Sequence, residues 1–416
     1  MAGHIQDRWY KTETDANGKT TRVKTDRHGA GLRYRARYIG PDGTEKSKSF
    51  RDREKRLAEQ WLAHIEADMS RGAYIDPKAS RITFQQYAER WLSNHGADPN
   101  TGFSMESQLR LHAFPYIGTR PLGSFQPSHI RDWVAALESA SITGGYARVI
   151  YSNVRSVLNA AVDDALLAKN PCAARSVKAP TVEPKRVVPW TAERVFAVRA
   201  ALPSRFQAMV DLGAGCGLRQ GEIFGIDVDA LDFEADTVRV VHQLKLSRCR
   251  PVFAPPKGGK LRDVPLPGPV ADILRAHMKV CPPVAITLPW GTSRGPAVTK
   301  RLVFTAQQGN HVWRNMFNSD QWKPALATAG VIPERDEGQE TYAAAREHGM
   351  HALRHFYASV LLDAGENIKA VAEYLGHSDP GLTLRVYAHL MPSSRERTRQ
   401  AVASLYPGPK EPPATA

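Results

Sequence analysis

Residues 32–39, Leu-Arg-Tyr-Arg-Ala-Arg-Tyr-Ile, alternate basic with apolar or aromatic side chains, the period-two pattern of a strand with one buried face. Gly40-Pro41-Asp42-Gly43 reads as a turn into a second strand over residues 44–50. The period changes at Arg53, after which Leu57, Trp61, Leu62, Ile65 and Met69 share one helical face. Residues 71–81, rich in small and turn-forming types, make a linker. Thr83 and Gln86 then give a capping-box signature for a helix running through Trp91 and Leu92. Further helices are predicted over residues 104–113, 127–137 and 145–167, the last bearing Val149, Ile150, Val154, Val157, Leu158 and Val162 and stopped by Asn170-Pro171. Short connections make these helices a bundle of four or five. Residues 179–189 hold three prolines and no helical period, a second linker. Beyond it, strands are predicted at 237–246, 251–254 and 261–266 before helical patterns return.

The pattern therefore predicts a multidomain chain. A small α+β module occupies residues 1–76 and an all-α helical bundle residues 82–178. A mixed, mainly α domain with a small antiparallel sheet occupies residues 184–416.

Charge changes the picture more than length does. Lys and Arg outnumber Asp and Glu by 56 to 42, a net +14 with a pI near 9.6, which favours a polyanionic partner. The first 56 residues hold fifteen basic against eight acidic side chains, half of that excess. A basic strand face carrying Arg33, Arg35 and Arg37 suits insertion into a DNA groove. In the bundle, Arg110, His112, Arg148 and Arg155 are candidate DNA contacts, set against the commoner reading of scattered surface charge. The four cysteines are far apart, with no zinc ribbon, metal site or disulfide framework indicated. No apolar run reaches the length of a membrane span and no signal-peptide core is seen, so a reducing cytoplasm is expected, without membrane contact.

Candidate chemistry concentrates near the C-terminus. His351, Arg354, His355, His377 and Tyr387 supply imidazoles, a guanidinium and a phenol on predicted helices. Arg binds phosphate through two parallel hydrogen bonds, His moves a proton near neutral pH, and a deprotonated Tyr can attack phosphorus. His351 and His355 share a helix face and would suit a metal pair, but a zinc-protease helix needs Glu after its first His, where Ala352 stands. Leu353, Phe356, Val360, Leu361 and Leu362 equally fit a core helix with satisfied polar residues. A second cation, Arg219 far upstream, tips the balance toward phosphate chemistry.

The passage before Arg219 imitates something else. Val210 to Gly217, followed by Gly225-Ile226-Asp227, resembles the glycine loop and ribose-binding acid of an S-adenosylmethionine-dependent methyltransferase. Gly217 and Asp227 are only ten residues apart, too few for the helix and second strand that such a unit needs.

Gly217-Leu218-Arg219-Gln220-Gly221-Glu222 is better matched by the Gly-Leu-Arg-x-x-Glu segment of tyrosine recombinases, the phage-type integrases. His351-Ala352-Leu353-Arg354-His355, Leu375-Gly376-His377-Ser378 and Val386-Tyr387-Ala388-His389 resemble that family's other signature boxes, in the same order. Pro256 to Leu266 is similar to its lysine-bearing hairpin. The resemblance implies that Arg219 and Arg354 grip the scissile phosphate and that Tyr387 attacks it, leaving a 3′-phosphotyrosine and a 5′-hydroxyl. It makes His351 the base or proton shuttle, His377 a phosphate donor and Lys257 the general acid, with Lys260 close enough to compete. Glu222 becomes a supporting partner of Arg219; His355 is read as structural and His389 receives no role. No cofactor is implied, since the phosphotyrosine keeps the bond energy. The implied partners are double-stranded DNA attachment sites, four protomers on DNA, and a possible host DNA-bending protein and directionality factor, on the bacterial nucleoid. The resemblance also implies a docking helix over residues 394–405 and a disordered tail from Gly408. A type IB topoisomerase shares this chemistry and is the rival reading.

Overall fold

The computed structural model describes residues 3–387, except 15–17, 19, 73, 77, 95, 97, 141, 183–187, 337 and 378, and also Arg399. The rest of the expected helix at 394–405, the tail from Gly408, His389 and the middle of the second linker lie outside the described residues. The chain divides into two compact units, residues 1–183 and 184–416.

The first unit opens with β1 (His4–Asp7), β2 (Tyr10–Thr14), β3 (Thr20–Lys24), β4 (Tyr34–Ile39), β5 (Glu45–Phe50) and α1 (Lys55–Ser70). β4 and β5 were foreseen; β1 and the β2–β3 hairpin were not, because β1 is only four residues long and half-buried at best, and β2 and β3 are almost wholly exposed. β4 is the middle of an antiparallel sheet ordered β1-β4-β5. Its alternation is realised: Tyr34, Ala36 and Tyr38 are buried, and Leu62 and Ile65 of α1 close the same small core. Arg35 and Arg37 therefore point to the opposite face, in register with Ser49 and Ser47.

Four α-helices follow among the described residues: α2 (Phe84–Asn94), α3 (Pro99–His112), α4 (Pro127–Ser139) and α5 (Gly144–Asp163). The capping box forms as expected, Gln86 N donating to Thr83 Oγ1 and Thr83 N to Gln86 Oε1, each at 3.2 Å. α3 starts five residues before the expected position, with Asp98 capping Asn100 N and Pro99 in the first turn. α5 stops short of residue 167 because the chain turns at Ala165 (φ +54°), and Leu166 N and Leu167 N both bond back to Ala161 O. Two apolar residues that prolonged the periodicity thus lie beyond the helix. Phe84, Leu109, Ile130, Trp133, Ile150, Val154 and Leu158 make the bundle's core.

The second unit contains α6 (Ala192–Ala201), α7 (Ser204–Cys216), α8 (Gln220–Gly225), β6 (Leu231–Asp232), β7 (Thr237–Val240), β8 (Gln243–Ser247), β9 (Arg250–Ala254), β10 (Arg262–Pro265), α9 (Gly268–Val280), β11 (Val284–Pro289), β12 (Ala297–Leu302), α10 (Arg314–Phe317), α11 (Lys323–Thr328), α12 (His351–Asp363), α13 (Ile368–Leu375) and α14 (Pro380–Tyr387). The strand expected over 237–246 breaks at Val241-His242, where the chain leaves one sheet for another. β10, β7 and β6 form one antiparallel sheet, while β8–β9 and β11–β12 form two-stranded ribbons.

The glycine-rich passage is the second half of α7 and its C-cap, preceded by helix and not by a strand, which removes the nucleotide-loop reading. Its glycines serve packing. A Cβ on Gly213 would stand 2.9 Å from Leu353 of α12, and one on Gly217 would stand 2.4 Å from the Tyr357 ring. Gly217 also takes the left-handed conformation (φ +64°) that ends α7 and turns the chain toward Arg219. α12 thereby lies directly on α7, bringing Arg354 to the turn that carries Arg219.

Candidate active site

Arg219 precedes α8, and Glu222 sits in that helix's first turn. The Glu222 carboxylate accepts Arg219 N at 2.8 Å and Arg219 Nη1 at 3.0 Å, while Arg219 Nη2 donates to Gly376 O at 3.3 Å. Glu222 is 1% exposed, and Arg262 of β10 binds both its oxygens, at 3.0 and 2.6 Å. Burial pushes the Glu222 carboxyl up, but the Arg262 hydrogen bonds and charge, with Arg219, outweigh it and hold the group below the usual range.

Arg354 is equally buried. Its Nη1 donates to Gly217 O at 2.8 Å and its Nη2 to Leu375 O, carbonyls at the C-terminal ends of α7 and α13. Helix C-termini carry partial negative charge, so both ends favour the cation. Burial and the nearby Arg219 push the guanidinium down to about 9, which leaves it charged at neutral pH.

Three imidazoles surround these arginines. His377 follows Gly376, whose left-handed conformation (φ +61°) ends α13, and its Nδ1 lies 2.7 Å from Thr383 Oγ1 on α14. Burial, then Arg354, Arg219 and Arg262, push His377 down to about 4. His351 and His355 meet edge to face, with ring centroids 4.6 Å apart. Both are held near 4 by the enclosing protein first, although one side of His351 opens to solvent. All three are therefore neutral at pH 7.

Tyr387, the last residue of α14, is 2% exposed, and its hydroxyl lies 2.5 Å from His355 Nδ1. Burial pushes the phenol up to about 12, against the field of Arg354. The imidazole touching the phenol is His355, which the sequence reading left structural, and not His351. Besides burial, the groups acting on His351 are His355, then Arg354, Arg219 and His377.

The lysines are also arranged differently from expectation. β9 pairs with β8 and β10 with β7, so the turn bearing Lys257 joins two sheets and does not close a hairpin. Lys257 is exposed on that turn, whereas Lys260 Nζ donates to His377 O at 3.1 Å. Arg262 and Thr383 were missed altogether. The inward side of β10, alternating buried and exposed from Arg262, was the available signal.

Among the candidate DNA contacts, Arg33 is reassigned. Asp7 and Asp52 grip it at 2.9 and 2.8 Å, and its side chain is 15% exposed, making it an internal tie of the module. Arg35 and Arg37 stand on the sheet face opposite α1, bonded to Ser47 Oγ and Glu45. Arg110, Arg148 and Arg155 are exposed on α3 and α5, Arg148 donating to Pro180 O at 3.3 Å.

The segments that carry these residues have counterparts in known proteins. Residues 191–393 match the phage integrase family, and residues 83–137 match the phage integrase N-terminal SAM-like domain. The chain therefore carries a phage integrase family domain preceded by a phage integrase SAM-like domain. Similar proteins include the tyrosine recombinase XerC-like protein of Caldanaerobacter subterraneus subsp. tengcongensis, 29% identical over 61% of this chain and 64% of that protein. The integrase of Mycobacterium phage L5 is 23% identical over 92% of this chain and 97% of its own. Among solved structures, the Tn1549 transposon integrase in complex with transposon right end DNA covers 78% of this chain and 99% of its own at 20% identity, with a TM-score of 0.61. A lambda integrase tetramer bound to a Holliday junction covers 86% of this chain and 92% of its own at 14% identity, with a TM-score of 0.54. Those solved structures are integrases, and the helical content and small sheets of this chain fit their fold. Among the described residues no helix is long and apolar enough to cross a membrane.

Proposed function

We propose that this chain is a site-specific DNA recombinase that cleaves and rejoins double-stranded attachment sites through a 3′-phosphotyrosine intermediate, integrating or excising a mobile element. The observation that carries the reading is the convergence of Arg219, Arg354, three neutral imidazoles and the Tyr387 phenol from the α7–α8 turn, α12 and the α13–α14 segment. Arg219 and Arg354 bind the non-bridging phosphate oxygens and offset charge in the pentavalent transition state, each contact contributing about 1.5–3 kcal/mol. The Thr383 hydroxyl fixes His377 so that its other nitrogen can donate to the same phosphate. His351, on the arginine side, joins them. His355, neutral and against the phenol, accepts the Tyr387 proton as the oxygen attacks phosphorus and returns it when the strand is resealed.

The basic sheet face with Arg35 and Arg37, and Arg110, Arg148 and Arg155 of the bundle, take DNA phosphates. Exchange of four strands calls for four protomers on the DNA, with a host bending protein and a directionality factor as possible partners, in the bacterial cytoplasm on the nucleoid. A two-site recombination assay run beside plasmid relaxation tests the function. Recombinant product from paired sites supports it, while relaxation of a plasmid without any site, and no recombinants, would make the chain a topoisomerase.

The leaving 5′-oxygen needs a proton, and Lys257 and Lys260 are the candidates. Lys260 already bonds the His377 carbonyl, so Lys257, on the exposed turn, is the expected donor. Lys257→Ala slows cleavage of ordinary DNA about 100-fold and recovers on a 5′-bridging phosphorothiolate, whose sulfur leaves without protonation. Lys260→Ala shows neither effect. The reverse pattern transfers the role to Lys260.

A further inference from the structure

Arg262 has no part in the roles above, yet its guanidinium joins two other segments of the site to β10. Its side chain is 1% exposed. Nη1 and Nη2 bind the two oxygens of Glu222, and Nε donates to Tyr374 O at 2.7 Å. The same carboxylate holds Arg219 through its backbone and its side chain. Tyr374 lies three residues before His377, and Gly376 between them leaves room for the guanidinium: a Cβ there would stand 3.1 Å from Arg262 Nη1. β10 itself follows the Lys257 turn.

We propose that Arg262 is a positioning residue for strand cleavage, which neutralises Glu222 so that Arg219 stays directed at the phosphate, and ties the Lys257 turn and the His377 loop to the same point. The proposal rests on the phosphotyrosine reading. A buried carboxylate facing a single guanidinium binds it tightly. With Arg262 present, Glu222 shares its two oxygens between two cations and its hold on Arg219 is weaker. Remove Arg262, and Glu222 retains Arg219 as its sole side-chain cation among these contacts, drawing it from the phosphate. The loss then comes from a charge left in the wrong balance, not from a cavity, and a second substitution that removes the charge should relieve it.

The test is single-turnover cleavage of a suicide substrate, with affinity for the uncleaved site measured separately. Wild type and Tyr387→Phe run first: a wild type that forms no adduct overturns the phosphotyrosine reading itself. Given a wild-type adduct, Arg262→Met lowers the cleavage rate about 100-fold with affinity within about twofold. Arg262→Met/Glu222→Gln, which leaves no carboxylate to capture Arg219, recovers at least about tenfold of that loss. Arg262→Lys, which keeps the charge but cannot bridge Glu222 and Tyr374 O together, falls between the two; it replaces Arg262→Met as the single variant if the latter does not fold. A folded single variant that cleaves at the wild-type rate, or a double variant no faster than the single, overturns the proposal.

Discussion

Tyr387→Phe forms no SDS-resistant protein–DNA adduct on a nicked suicide substrate, whereas the unaltered chain forms one that maps to the peptide containing Tyr387. The substitution removes one oxygen and keeps a ring that is 2% exposed in the core of the second unit. The folded state loses the hydrogen bond to His355, about 1 kcal/mol, so thermal unfolding and DNA affinity change little. Chemistry changes completely, because no other oxygen stands in that place to attack phosphorus. Tyr357→Phe is the control. Tyr357 packs its ring over Gly217, and burial pushes its hydroxyl out of any useful range, so its variant keeps a normal adduct yield. An adduct at wild-type yield from Tyr387→Phe would move the nucleophile elsewhere.

The boxes that carry this chemistry were legible because each is short, local and chemically dense. Arg219, Arg354, His377 and Tyr387 could be picked out by residue type and spacing, and the chain brings them together. What spacing could not reveal is which way each side chain turns. His351 and His355 are one helical turn apart on α12 and look interchangeable in sequence; which one meets the phenol depends on how α14 packs. Arg262 lay hidden for a related reason. In a segment with lysines at 257 and 260, another basic residue reads as surface charge, and only the sheet's inward face turns it into a buried partner of Glu222.

The same distinction applies to the fold. Alternation located β4 because Tyr34, Ala36 and Tyr38 face a helix while Arg35 and Arg37 face out. β1 lies on one edge of that sheet, and β2 and β3 pair only with each other, so little of their periodicity is imposed by burial. The glycines of α7 misled in the opposite direction. Gly213, Gly215 and Gly217 answer to Leu353, Val270 and Tyr357, residues far away in the chain, and no local pattern announces such partners.

His355→Gln slows adduct formation about 10²- to 10³-fold, the range in which general bases act, while affinity for the attachment site holds. Glutamine can still bond the phenol but cannot take its proton, so the contact survives and the chemistry does not. Because one group takes the proton in cleavage and returns it in resealing, the variant also slows rejoining of a preformed adduct to a 5′-hydroxyl strand. His351→Gln, on the arginine side, weakens transition-state binding about ten-fold, roughly 1.4 kcal/mol for the bond lost, and spares that symmetry. The pH profile adds a second readout. His355 is held down near 4 from an ordinary 6.5, so it remains a competent base until the pH falls toward 4. The sign for stability is the same: between about 6.5 and 4 the unfolded chain binds protons that the folded His351, His355 and His377 refuse, so stability rises with pH through that window and is lost on acidification. In His355→Gln the acid limb of cleavage attributable to this group disappears along with the rate. A His355→Gln variant that cleaves faster than the unaltered chain would show instead that the contact restrains the phenol, and one that cleaves at the same rate would return the proton to His351.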